Sequence, residues 1–135
     1  MKVLTLFSFF YLFAQMLLAN KYDCIIAAKK YEEIYDIPKN LLLSVSLTES
    51  GRKIKNGEFI SWPWTINKKG KGKFFDNKET AINYVKEYTK KGKKNIDLGC
   101  MQVNFMYHPN AFKNFYEAFD PDKNVAWAAA MLKSL

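Results

Sequence analysis

The chain has 135 residues, enough for one domain with a buried core and too few for two. Lys and Arg number 21 against 13 Asp and Glu, a net charge of +8, which points to a polyanionic partner: nucleic acid, an anionic membrane surface or an acidic polymer. Arg52 is the only arginine, and sequence-specific DNA readers depend on arginine for bidentate contacts to guanine, so that class is disfavoured.

Residues 1–19 read as a targeting segment. Lys2 supplies the positive start, and Val3 to Ala19 is apolar apart from Thr5, Ser8 and Gln15. A 17-residue run lies at the lower limit of what spans a bilayer, so a signal peptide is favoured over an uncleaved N-terminal anchor. Ala19 suits position −1 of a cleavage site, while Leu17 at −3 is larger than the usual small residue. The domain is then 20–135. Export makes Cys24 and Cys100 readable as one disulfide, with two buried thiols as the alternative. Two cysteines and the lone His108 do not supply a zinc spacing, so no metal or cofactor is expected.

Tyr22 to Tyr35 reads as a helix with Ile25, Ala28 and Ile34 inward and Lys29, Lys30, Glu32 and Glu33 solvated. Asp36-Ile37-Pro38 turns into a second helix, Lys39 to Ser50, with Pro38 where a first turn tolerates proline and Gly51 at the stop. Glu49 lies one turn beyond Val45 and two beyond Leu42, an acid at the mouth of an apolar face. A carboxyl desolvated in that way has a raised pKa and can hold a proton for general acid catalysis. Taken alone, the stretch reads equally simply as a solvated glutamate in a last helical turn.

Phe59 to Asn67 is strand-like, with Pro63 assigning it to a sheet edge. Lys68 to Gly72 is a turn and Lys73-Phe74-Phe75 a return strand. Asp76 or Asn77 caps a third helix reaching Lys90, with Ala81, Tyr84, Val85 and Tyr88 inward, and Gly92 closes it. Asn95 to Asn104 is extended with a turn at Gly99, and Asn110 to Phe119 a short amphipathic helix. Asp120-Pro121 caps a last helix with Val125, Ala128, Ala129, Leu132 and Leu135 on one face. The fold class is α+β, mainly α.

Three stretches, taken together and in order, resemble the soluble-lytic-transglycosylase type of the lytic transglycosylase family: Leu47-Thr48-Glu49-Ser50-Gly51, Trp62-Pro63-Trp64-Thr65-Ile66-Asn67, and Asn95 to Asn104 with Gly99-Cys100-Met101-Gln102 at its centre. Phe119-Asp120-Pro121 with Asn124-Val125 matches the family's next block. The resemblance covers roughly 22–135. It implies a lysozyme-like fold with a small antiparallel ribbon beside a cleft. It implies cleavage of peptidoglycan between N-acetylmuramic acid and N-acetylglucosamine, with the muramic 6-hydroxyl closing on its own anomeric carbon to leave a 1,6-anhydro end. It also implies an exported protein of the bacterial periplasm or cell envelope, with glycan strands and wall or secretion machinery as partners and no nucleic acid.

Glycosidases normally use two carboxylates, but an intramolecular attack needs only one group, acting as acid and then as base. Glu49 is the candidate for both roles. The resemblance places Ser50, Met101, Gln102 and Asn104 among the substrate-binding groups. Core packing is the alternative for Met101, and a hydroxyl bonded to helix backbone is the alternative for Ser50. The Gln102 amide can donate and accept, which suits an acetamido group. Trp62 or Trp64, not both, is expected to stack on sugar, from a pool that includes Phe74, Phe75, Phe105 and Tyr107. Asp97 reads as a turn cap and not a second catalytic acid, and His108 as structural. The family pattern continues past the alanine-rich helix with a block carrying a tryptophan and a tyrosine that reaches the cleft. This chain lacks that block and reads as truncated at its C-terminus, so the alternative function is a catalytically impaired peptidoglycan-binding or wall-assembly module.

Overall fold

The computed structural model describes residues 21–135, so the expected leader lies outside the described part. The first helix, α1, occupies 21–34 there and buries Cys24, Ala27, Ala28 and Glu32. That stripe has helical spacing, and Ile34 falls well off its axis, which is why Ile34 is 59% exposed instead of inward. Glu32, expected to be solvated, is buried for a separate reason. Its carboxylate accepts from the backbone N–H groups of Asn40 (2.9 Å) and Leu43 (3.0 Å). These open the second helix, α2, Leu41–Ser50. Asn40 sits at its N-cap in the left-handed region, φ 67°, and makes no side-chain cap bond. The cap therefore comes from α1, where an anion also suits the helix N-terminus. Pro38 precedes α2, with its carbonyl accepting from Leu41 N–H, and does not start it.

Gly51 ends α2 and opens strand β1, Gly51–Lys53, without a left-handed residue between them. A Cβ there would lie 2.1 Å from the Leu47 carbonyl oxygen and 2.3 Å from the Phe59 ring, so only glycine fits. β1 pairs antiparallel with β2, Phe59–Ser61. The chain then leaves this sheet at Pro63, which is fully buried. Pro63 was expected in an edge strand. It occupies the corner between two sheets, where its missing N–H breaks no ladder.

The second sheet has order β4-β3-β5-β6, with β3 Thr65–Lys68, β4 Lys71–Phe74, β5 Asp97–Leu98 and β6 Val103–Asn104, all antiparallel. Lys69 and Gly70 both have positive φ, the two-residue hairpin geometry that matches strand twist. Helix α3, Lys78–Lys90, is capped by Asn77, whose side chain accepts from Thr80 N–H, and is followed by Gly92 at φ 72°. Helix α4 covers only Phe115–Ala118. The expected start at Asn110 fails because Asn114, with extended backbone, is the residue that caps it. Helix α5, Pro121–Lys133, has Asp120 accepting from Lys123 N–H and proline in its first turn. Val125 and Ala129 of α5 are buried, whereas Leu132 is 37% and Leu135 95% exposed, so the expected inward face holds only for the first part of the helix.

The architecture is α+β and mainly helical, with two small antiparallel sheets. One core joins α1, α2 and α5 through Cys24, Ala28, Leu42, Val125 and Ala129. The other lies between α3 and the second sheet, around Ile66, Ile82, Val85 and Leu98. The Cys24–Cys100 disulfide is present and ties α1 to the turn between β5 and β6.

Asn124 of α5 is fully buried beside that turn. Its Oδ1 accepts from Met101 N–H (2.8 Å), and its Nδ2 donates to the carbonyls of Leu98 and Ala118 (2.9 Å each). Asn124→Leu keeps the volume but strands three backbone groups. It is expected to cost about 3–5 kcal/mol, since each buried unpaired group costs about 1–3. A urea midpoint equal to wild type would refute this role. Opening the disulfide, whose cysteines are 76 residues apart, is expected to cost about 4–5 kcal/mol by loop entropy. Denaturant melts of Cys24→Ala/Cys100→Ala measure it.

Candidate functional site

α2 buries one row, Leu42, Ser46 and Ser50, at four-residue spacing. The neighbouring row contains Val45 and, one turn on, Glu49. Leu42 and Val45 line a groove of about 330 Å³ that also takes Met101, Gln102, Asn104 and Met131. Glu49, one turn on from Val45, is not itself a lining residue of that groove. Its position is as expected from the sequence, but its environment is not. Glu49 is exposed, and its carboxylate makes no hydrogen bond or ion pair with another described residue. The reason is angular: the residue that turns inward at this helix end is Ser50, about 100° further round the helix.

Ser50, expected to contact substrate, is 1% exposed. Its Oγ lies 2.7 Å from the Cys100 carbonyl, 2.7 Å from Ser61 Oγ and 3.0 Å from the Ser46 carbonyl. A hydroxyl has one proton, and both short contacts are met when Ser50 donates to Cys100 and accepts from Ser61. Ser50 therefore positions other groups and offers no atom to a ligand. It fastens the end of α2 to β2 and to the β5–β6 turn. The Trp62 N–H adds a bond to the Ser50 carbonyl (2.9 Å).

The turn runs from Gly99, φ 79°, to Gln102, φ 48°. A Cβ on Gly99 would come within 2.4 Å of Asn124 Nδ2, so both space and backbone conformation require glycine. The Gln102 Nε2 donates to the carbonyls of Gly99 (2.8 Å) and Thr65 (3.1 Å). Its amide is thus not free to both donate and accept. Its donor half is committed to backbone, and its Oε1 is buried without a partner. Thr65 Oγ1 and Asn67 Oδ1 are also buried and unpartnered among the described residues. Both lie in β3, on the face away from the Ile66 side chain and its core. Each such atom costs about 1–3 kcal/mol unless a ligand or ordered water pairs with it.

Strand register extends this polar face. Asn67 is opposite Gly72 on one side and Asp97 on the other, and Asp97 is opposite Asn104. Paired residues share a face, so a polar row of Asn67, Asp97 and Asn104 crosses three strands, with Gly72 beside it in β4. Asp97 is not a turn cap: it lies in β5 and accepts from Asn104 Nδ2 (2.8 Å). The Asn104 amide also donates to Asn95 Oδ1 (2.9 Å), and its oxygen accepts from the N–H groups of Met106 and Tyr107.

Among the aromatics, Trp64 packs on the sheet core and meets Trp62 edge-on at 5.4 Å. Trp62 donates its indole N–H to the Phe75 carbonyl (2.7 Å). The Arg52 guanidinium lies 4.6 Å from the Trp62 ring and 5.2 Å from Phe74. Phe75 is core, and Phe105 packs edge-on to Phe115, so both leave the sugar-stacking pool. Phe74 and Tyr107 remain exposed. Met101 is buried in the helical core, with an edge on the groove. His108 stacks on Trp127 at 4.7 Å.

Sequence reasoning gave no site role to Asn124, Ser61, Thr65, Asn67 or Arg52, although Thr65, Asn67 and Asn124 lie in stretches that carry the resemblance. Two signals were available. Thr65 and Asn67 alternate with Ile66, the pattern of a strand with one polar face, and the single arginine directly follows Glu49-Ser50-Gly51. No family model, curated protein or solved structure matches this chain.

Proposed function

We propose that the chain is an exported peptidoglycan lytic transglycosylase of lysozyme-like type, with Glu49 as its single acid and base. The observation that carries this reading is the position of Glu49. It stands one turn beyond Val45, which lines a groove without an Asp or Glu side chain, on a helix end bonded through Ser50 to the turn that carries Gln102. One carboxylate suffices only if the substrate supplies its own nucleophile.

In the proposed reaction Glu49 protonates the glycosidic oxygen as the bond to the muramic anomeric carbon breaks. The resulting carboxylate then takes the proton of the 6-hydroxyl, whose oxygen attacks that carbon. No water is consumed, and Glu49 returns to its acid form. An exposed carboxyl becomes a good acid when bound glycan displaces its water, because burial disfavours the anion. Gln102 Oε1, an acceptor without a donor, suits an acetamido N–H.

A second reading, a wall-binding or assembly module without turnover, is favoured by one observation: no described group orients the Glu49 carboxylate. Digestion of purified wall separates the two. Wild type is expected to release 1,6-anhydro muropeptides, identified by mass spectrometry, and Glu49→Gln to lower the rate about 10²–10⁴-fold with an unchanged melt. Retention on wall without any product would support the second reading, and hydrolysed reducing ends would mean a water-using glycosidase. Gln102→Met preserves bulk while removing the acceptor. Its kcat/KM is expected to fall about 10- to 100-fold, the cost of one buried hydrogen bond to substrate, and undiminished turnover would remove Gln102 from the site.

A further inference from the structure

At one end of the polar row lies a separate hollow of about 430 Å³. Five lysines line it, Lys68, Lys69, Lys71, Lys93 and Lys94, and no Asp or Glu does. They come from two distant segments: the β3–β4 hairpin and the loop between α3 and β5. Both segments are held in place. The hairpin turns on Lys69-Gly70, and Lys68 Nζ donates to the Tyr84 hydroxyl (2.5 Å). The Tyr88 hydroxyl donates to the Asn95 carbonyl (3.3 Å) at the end of the loop. None of the five lysines takes part in a salt bridge among the described residues, where the ion pairs are Lys21–Glu58, Lys30–Asp122 and Lys90–Glu87. Cations brought together in a concave site without counter-charge create a positive potential that favours an anion.

The hollow is continuous with the polar row. Asn95 lines the hollow and accepts from Asn104 Nδ2, and Met106 lines it and donates its N–H to Asn104 Oδ1. Lys68 and Lys71 lie on the Ile66 face of the sheet, so the hollow meets the row only at Asn95 and Met106. The chemistry narrows what a ligand of the hollow carries. Ammonium groups are point donors suited to single carboxylate oxygens, and no guanidinium is present for bidentate phosphate recognition. The Tyr88 ring already has two cations near it, Lys68 (5.8 Å) and Lys93 (5.9 Å). A concave hollow fits a compact side group better than a planar lipid surface.

We infer that this hollow binds the carboxylates of the peptides carried by the glycan, so that the protein selects peptide-bearing strands over bare ones. The inference rests on the proposed peptidoglycan reading. The test compares wild-type protein with Lys69→Gln/Lys93→Gln/Lys94→Gln, three exposed positions. Binding is measured to peptide-bearing strands and to the same strands stripped by an amidase, at low and at physiological salt. Wild type is expected to bind peptide-bearing strands about tenfold tighter at low salt, with the preference shrinking as salt rises. The variant is expected to lose the preference while keeping the wild-type affinity for bare strands and the wild-type melt. Equal wild-type binding to both strands, or a variant that keeps the preference, overturns the inference and leaves the proposed function standing. Failure to bind either strand overturns both. Loss of duplex DNA or anionic-vesicle binding in the variant, with no effect of the peptides, assigns the hollow to another polyanion and overturns the inference.

Discussion

Ser50 Oγ and Asn124 Oδ1 hold the two sides of one turn, Cys100 from the α2 side and Met101 from the α5 side. The disulfide at Cys100 adds α1. Strands β5 and β6, joined by this turn, have two residues each, too short to be stable as an isolated hairpin. Their geometry depends on these attachments from outside the sheet. The turn is also where the two cores meet: Cys100 and Met101 belong to the helical core, and Leu98 to the sheet core. Left-handed conformations at Gly99 and Gln102 persist because the surroundings over-determine them.

Rigidity at this turn and exposure at Glu49 are complementary. The elements behind the carboxylate are fixed, while the carboxylate itself is exposed and makes no hydrogen bond or ion pair among the described residues. A group already paired with a cation in the free protein would be a poorer acid, because that pairing favours the anion. In the proposed reaction the protein supplies position and the bound glycan supplies desolvation. This division makes catalysis depend on how completely substrate covers the groove, and so on contacts remote from the broken bond.

Much of the chain was legible because its boundaries are set by local chemistry. Asn77, Gly92, Gly99 and Asp120-Pro121 act through their own backbone neighbours, and all four were readable. Glu32 and Pro63 were misread, and the bond from Ser50 to Cys100 was not foreseen, because each is defined by a partner distant in sequence or in another element. Glu32 caps a helix eight residues on, Pro63 turns between sheets, and Ser50 bonds to Cys100. In the site, the position of Glu49 followed from helical spacing. Its exposure did not, because that depends on which neighbouring residue the helix turns inward. For Asn124 the sequence offered its place in a matching stretch but no role, since one asparagine in an alanine-rich helix becomes informative only when the backbone groups facing it are known.

The second sheet shows how a small protein offsets the cost of buried, unpaired polar atoms. Its inner face is apolar at the centre, with Ile66, Ile96 and Leu98 almost inaccessible in the core with α3, and carries Lys68, Lys71 and Lys73 toward the hairpin. That burial, at about 25 cal/mol per Å² of apolar surface, stabilises the sheet without help from its outer side. The outer side is then free to carry Thr65 Oγ1, Asn67 Oδ1 and Gln102 Oε1 unpaired, together with the Asp97–Asn104 pair. These atoms are themselves inaccessible, so ordered water or a shift of the side chains that cover them is what would satisfy them, on the order of 1–3 kcal/mol each. Register sets the lysines apart from them: Lys68 and Lys71 pair across the hairpin on the face of Ile66, while Asn67, Asp97 and Asn104 lie on the other. The positive hollow and the unpaired polar atoms are therefore two separate features of one sheet, joined only where Asn95 and Met106 meet Asn104.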